Sequence, residues 1–210
     1  MNRFLSRRTC LAWVIGTACA LTAGATWAAD EPADAFIKRV STDVLASIRA
    51  DKSILSGDVN KISVLVDQRV MPNVNFLRMT ASAVGPGWRQ ATPEQQKRLQ
   101  EEFKVLLVRT YSGALGQVSD QAIYVKPLRA AADDKEVLVR TEVRGKGDPI
   151  QLDYRVEKTA NGWKVYDINV LGAWLVESYR NQFNDQISKG GIEGLIQFLQ
   201  QRNSALAAAK

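Results

Sequence analysis

Histidine is missing from all 210 residues, and the only two cysteines, Cys10 and Cys19, stand close to the N-terminus. The first absence removes every imidazole base and every histidine metal ligand. Both cysteines are expected to leave with a cleaved N-terminal signal, which takes thiol chemistry and Cys/His zinc sites with them. Basic residues form no run. The formal charge of +6 includes Arg3, Arg7 and Arg8, leaving 25 basic against 22 acidic side chains in the rest, a net of +3. Nucleic-acid binding needs a concentrated basic footprint, so that class is set aside. Long apolar runs are also scarce. The most apolar stretch, residues 10–25, is short and interrupted by Gly16, Thr17, Thr22 and Gly24, which does not suit a membrane-spanning helix.

Preceded by its basic head, that stretch reads as an export signal cleaved after Ala25 or Ala28. Ser6-Arg7-Arg8-Thr9-Cys10-Leu11 comes close to a twin-arginine motif. Ordinary Sec signals often carry two arginines too, and the Sec route is preferred. A lipoprotein reading through Cys19 is disfavoured because Gly16 stands where a Leu-like residue is wanted. The expectation is a signal over 1–28 and one domain over 29–210, large enough for a real core. That domain has no cysteine and is held by packing alone in an oxidising compartment.

Along the chain, Ile37, Val40, Val44 and Ile48 share a face of a first helix that ends in a polar loop over 51–57. Asp58 is placed to cap a second helix, whose inner side carries Ile62, Leu65, Val66 and Val70 until Pro72 stops it. A third helix is expected over 73–84, apolar on both sides, with Val74, Leu77 and Ala81 opposite Phe76, Met79 and Ala83. Gly85-Pro86-Gly87 is a turn, and Thr92-Pro93-Glu94-Gln95 has the form of a capping box with proline first in the helix. The helix it opens puts Leu99, Phe103, Leu106, Leu107 and Tyr111 on one face and runs to Gly113 or Gly116. Strands follow over 123–130, 136–144, 150–158 and 163–170, divided by turn signals. Their alternation gives an antiparallel meander with one apolar and one wet face, Asp153 falling on the wet one. A last helix runs through Ile192, Leu195, Ile196 and Leu199, and 205–210 reads as a frayed tail.

The centre of this organisation is residues 162–190, where a strand rich in aromatic and β-branched residues feeds a helix carrying Leu175, Tyr179, Phe183 and Ile187 at every fourth position. Trp163-Lys164-Val165-Tyr166-Asp167, the link at Gly172, Leu175-Val176, Tyr179-Arg180 and Gln182-Phe183 resemble the MlaC family, also called toluene-tolerance or ABC-transporter auxiliary proteins. Trp88-Arg89, Thr92-Pro93-Glu94-Gln95, Leu106-Leu107 and Thr110-Tyr111 resemble the family in the same order. Gly85-Pro86-Gly87 departs from the family's less broken lead-in.

The resemblance implies a periplasmic carrier of diacyl phospholipid. It implies an α+β fold in which a four-stranded curved antiparallel sheet has five to six helices over one face and encloses an apolar lipid cavity. It also implies a monomer, with an inner-membrane ABC transporter complex and an outer-membrane lipoprotein complex as partners, the family working in outer-membrane lipid asymmetry. The cargo is phospholipid, and no cofactor is expected. Candidates for the lining are Val74, Phe76, Met79, Val84, Trp88, Phe103, Leu107 and Tyr111 from the helices, Val137, Val139, Leu152, Tyr154 and Val165 from the sheet, and Leu175, Tyr179 and Phe183 beyond Gly172. Each could equally be ordinary core. Met79 and Trp88, beside the helix break, suit an adaptable mouth. Arg78 and Arg89 could face a lipid phosphate or simply solvent. Asp167, between apolar neighbours, is expected to accept hydrogen bonds or pair with Arg180. Two other readings stand beside the carrier. One is a cone-shaped α+β enzyme using Asp153 or Asp167 with Tyr154 or Tyr166. The other is a solid-cored scaffold or non-lipid binding module.

Overall fold

A computed structural model describes residues 31–115, 118, 120–131 and 133–209, so the expected export signal, its cleavage positions and both cysteines lie outside the described residues. Six α-helices and a five-stranded sheet make up the fold. Helix α1 (Ala33–Ala50) buries Phe36, Ile37 and Ile48. The expected polar loop after it contains a short helix, α2 (Lys52–Leu55), because the Asp51 carboxylate accepts from the Ser53 amide and organises one turn. Asp58 caps α3 (Val59–Leu65) through the Asn60 and Lys61 amides. Pro72 does not end the run at once, since a wide turn (Val66–Val70) and a tight one (Met71–Asn73) carry the chain on.

Helix α4 (Phe76–Val84) starts later than the sequence suggested, with Asn75 as its cap. Val74 stays extended and bridges Val165 in parallel, the Asn75 amide donating to the Val165 carbonyl at 2.8 Å. The sheet therefore competes with the helix for this backbone and wins. Phe76, Met79 and Ala83 face inward as one set, whereas Leu77 is 56% exposed, so α4 is buried on one face rather than two. The Gly85–Gln90 turn brings Gly87 so close to α6 that a Cβ there would meet Ile187 at 3.0 Å and Ile192 at 3.2 Å. Helix α5 (Pro93–Leu115) opens with the capping box: the Thr92 amide donates to Gln95 at 3.0 Å and the Gln95 amide to the Thr92 hydroxyl at 3.2 Å.

The sheet is an antiparallel meander in the order β1 (Ala122–Val125), β2 (Glu136–Arg144), β3 (Ile150–Thr159), β4 (Gly162–Val170), β5 (Ala173–Trp174). It has one strand more than expected. β5 is only two residues long, too short to show a period, and β1 stops before Pro127, which cannot donate to a ladder. A register shift between Arg155 and Val156 inserts Tyr166 into β4. The outer face is not uniformly wet: Asp153, Asp167 and Asn169 are buried on it, and Asp153 accepts from the Thr141 amide and from Gln151.

Helix α6 (Leu175–Ala208) breaks at Gly190 and Gly191, the latter at φ +63, a conformation that side chains resist. Its second limb buries Ile192, Leu195, Ile196 and Leu199 and stays helical to Ala208, where a frayed tail was expected. Among the described residues, no helix is long and apolar enough to cross a membrane.

Candidate site: the apolar interior between helices and sheet

Two apolar clusters face each other inside the fold. The helical one gathers Phe76, Met79, Val84, Phe103 and Phe183 with the second limb of α6, and has Val74, Trp88, Leu107 and Tyr179 packed against it. The sheet cluster joins Val137, Val139 and Val165 to Ala33, Phe36 and Ile37 of α1, with Val74 and Tyr154 against it. Val74 and Ile168 touch both. Thirteen of the sixteen candidate lining residues thus fall into two adjoining clusters. Leu175 is buried outside both, Leu152 is half-buried at the sheet end, and Tyr111 is 36% exposed. The candidates missed Ile37, Phe36 and Ile168. Ile37 carried its signal in the helical period of α1, but nothing local tells that α1 covers this sheet.

Phe103 sits at the centre with no exposed surface. Its ring lies 5.8 Å from that of Phe76 and meets Tyr179 and Phe183 edge-on at 5.0 and 5.2 Å. A pocket of about 220 Å³ opens beside Phe76 and Met71 and is rimmed by Lys97, Gln100, Glu101 and Lys104. Phe76, Phe103, Tyr179 and Phe183, from α4, α5 and α6, fill the helical cluster with contacting rings. Met79, expected at a mouth, is 2% exposed because it points inward from α4 with Phe76, while Trp88 is half-buried.

Several polar groups in the interior are partnered, whereas the buried Arg109 Nε and Asn203 Oδ1 have no hydrogen-bond partner among the described residues. Burial pushes the Tyr154 pKa up, Ser41 and Thr141 opposing this, and the Thr141 hydroxyl donates to the Leu152 carbonyl at 2.6 Å. Asp167 pairs with Arg155 at 3.0 Å rather than with Arg180, and accepts from the Val176 amide at 3.1 Å and the Ile168 amide at 2.9 Å. It therefore ties the start of α6 to β4, while Arg155 stacks on Trp174 at 3.9 Å. Burial nonetheless raises the Asp167 pKa, its hydrogen bonds and Arg155 opposing this. Arg180 donates to the Ser82 carbonyl. Arg78 is engaged within the protein: it pairs with Glu157 and Glu136 and lies 3.6 Å over the Tyr166 ring. Arg89 is exposed and makes no ion pair among the described residues.

The Asp/Tyr pair an enzyme would need does not assemble from the residues named for it. Asp153 and Tyr154 point to opposite faces, Tyr166 donates to Glu136 at 2.9 Å, and Asp167 is held by Arg155 and the start of α6. Among the described residues, no group of three or more Asp, Glu, Cys or His could hold a metal ion.

A helical layer over an antiparallel meander, with an apolar interior between them, defines the class as an α+β domain. The MlaC protein family matches residues 38–201, and the chain belongs to that family. It is 30% identical to the toluene tolerance protein ttg2D of Pseudomonas putida, over 79% of this chain and 77% of that protein. It is 25% identical to the intermembrane phospholipid transport system binding protein MlaC of Haemophilus influenzae, over 80% and 81%. The solved phospholipid-binding protein from Ralstonia solanacearum, in complex with a phospholipid, is 53% identical, superposes with a TM-score of 0.82, and is matched over 85% of this chain and 99% of its own. The latter two relatives are named for phospholipid transport or phospholipid binding.

Proposed function

We propose that this protein carries diacyl phospholipid through the periplasm between an outer-membrane lipoprotein complex and an inner-membrane ABC transporter complex, in support of outer-membrane lipid asymmetry. The observation that carries this reading is the apolar interior, which unites thirteen of the candidate lining residues without a reactive group among them. The phospholipid held by the Ralstonia solanacearum protein, at 53% identity, supports it. In this reading residues 1–28 are the cleaved export signal, residues 29–210 are the single carrier domain, and the carrier is a monomer.

Physical chemistry sets the terms. At ~0.8 kcal/mol per methylene, hydrating two acyl tails of about 30 methylenes costs on the order of 25 kcal/mol. A carrier with a wet or half-lined interior could not withdraw lipid from a bilayer, so the tails must exchange one hydrocarbon-like environment for another. Tail binding is non-directional, which explains why the site needs volume and apolar lining rather than a polar constellation.

The test is native mass spectrometry, with organic extraction, of the mature protein purified from its own compartment without detergent. Stoichiometric diacyl phospholipid is the expected result. Protein that is clean of lipid, and stays clean after incubation with vesicles and both membrane complexes, refutes the carrier.

A further inference from the structure

The inner face of the sheet is closed at one end and open at the other. Strand pairing lays its side chains in cross-strand rows, and the first row, Val137 with Val156 and Val165, is buried. Cover then falls away along the strands. In the row of Val125, Thr141, Leu152 and Val170 only Thr141 is buried, and the last row joins half-buried Ile123 and Val143 to Ile150, which is 44% exposed. Leu171, just past β4, is 70% exposed. Ile123, Val143, Ile150, Leu152, Val170 and Leu171 belong to none of the apolar clusters among the described residues. The first five share the alternation of the buried valines, so they continue the wall of the interior past the point where anything covers it.

Leu171 is the odd member. It holds φ +52 in the turn between β4 and β5, where its amide donates to the Gln151 carbonyl at 3.1 Å and the Gly172 amide donates to the Asn169 side chain at 2.8 Å. A left-handed turn position suits asparagine or glycine, and a leucine there strains the backbone while burying almost nothing. Folding does not account for this side chain, whereas contact with an apolar molecule does. The six residues offer aliphatic surface without a ring or a polar group. Protein-docking hot spots are rich in Trp, Tyr and Arg and poor in Leu and Val. Tyr124 and Arg144, stacked at 3.9 Å, alternate onto the opposite face of the same strands. Non-directional methyl surface continuous with the interior suits a hydrocarbon chain.

We infer that this end of the inner sheet face is the mouth through which the acyl tails of a phospholipid enter and leave the interior, Ile150 and Leu171 being the first side chains they meet. This rests on the carrier reading, and the experiment separates the two. Stopped-flow tryptophan fluorescence follows dihexanoyl phosphatidylcholine, kept below its micellar concentration, binding to delipidated mature protein, so that neither vesicle nor partner takes part. Ile150→Glu should slow uptake and release alike by about 10-fold, because a charge in the path is desolvated as the tails pass, and should leave Kd within about 3-fold, since a mouth sets the barrier and not the bound state. Leu171→Asn, which suits the turn and so keeps or raises Tm, should slow both rates about 2- to 5-fold. Leu77→Glu, at a leucine exposed on α4 instead, should change neither. Rates unchanged in both Ile150→Glu and Leu171→Asn overturn the mouth and leave the carrier standing. A weakened Kd with uptake unchanged makes the row a wall of the holding site, and equal slowing in Leu77→Glu makes the effect a general one; each of these also overturns the mouth. Absence of binding by wild type sinks the carrier, and the mouth with it.

Discussion

Phe103→Ala is the substitution that couples the core to the cargo most directly. Phe103 is fully buried and touches three rings, so its truncation removes the transfer free energy of the side chain and leaves a void bounded by Phe76, Tyr179 and Phe183. Loss of a buried phenylalanine costs ~3–5 kcal/mol. For a domain of this size each kcal/mol shifts Tm by about 2–4 °C, so delipidated protein should melt roughly 6–20 °C lower. If acyl tails occupy the same space, they repack into the void, and the deficit should shrink by about half or more in lipid-loaded protein, because a fluid chain fills a cavity that rigid neighbours cannot. The assay is scanning calorimetry of wild type and variant, each delipidated and each reloaded from vesicles. A fall below about 3 °C without lipid would refute the packing argument. An equal deficit in both states would refute the placement of the tails around Phe103.

Asp167→Asn tests the tie between β4 and α6. Burial raises the Asp167 pKa above its ordinary 3.8. The native state therefore holds this proton more tightly than the unfolded chain, and the group's contribution to stability falls as pH rises from about 4 through the raised value. Wild type should gain on Asp167→Asn as pH drops from 7 to 4 in urea unfolding, and a pH-independent difference would reject this. Arg78→Met removes two ion pairs and the stack on Tyr166, and should cost roughly 1–3 kcal/mol in urea unfolding with lipid stoichiometry unchanged. Thr92→Ala breaks the capping box and should cost about 1 kcal/mol, read from the same unfolding midpoint.

What could be read from the sequence was local or periodic. The Asp58 cap, the Thr92/Gln95 box, the face of α1 and the stripe of α6 each follow from a few neighbouring residues, and the structure has all of them. What could not be read depended on distant partners. Arg78 carries no local sign that it will lie between Glu136 and Glu157, more than fifty residues away. Val74 looks helical until Val165 claims its backbone. Asp153 alternates outward as expected, yet is buried, because which parts of an outer face are covered is a tertiary matter. The lining shows the same division. Apolar periodicity selects residues that face inward, but it does not distinguish packed core from compartment wall or mouth, and Met79, expected at a mouth, is 2% exposed.

The arrangement of the two clusters bears on how a packed interior can serve as a compartment. The helical cluster holds together through its own aromatic and aliphatic contacts, and so does the sheet cluster with α1 across it. Val74 and Ile168 are the side chains that pack against both. Separating the layers would expose apolar surface on each side without dismantling either, and at about 25 cal/mol per Å² that exposure is unfavourable only while water fills the gap. In the carrier reading, acyl tails that entered as the layers part would supply the lost contacts, so the opened state would cost little beyond the ordering of the chains. A cluster spanning both layers would instead have to be broken apart, with the loss of close-packed contacts that tails could not replace one for one. Division of the core at Val74 and Ile168 therefore favours entry between the helical layer and the sheet over entry within the helical layer.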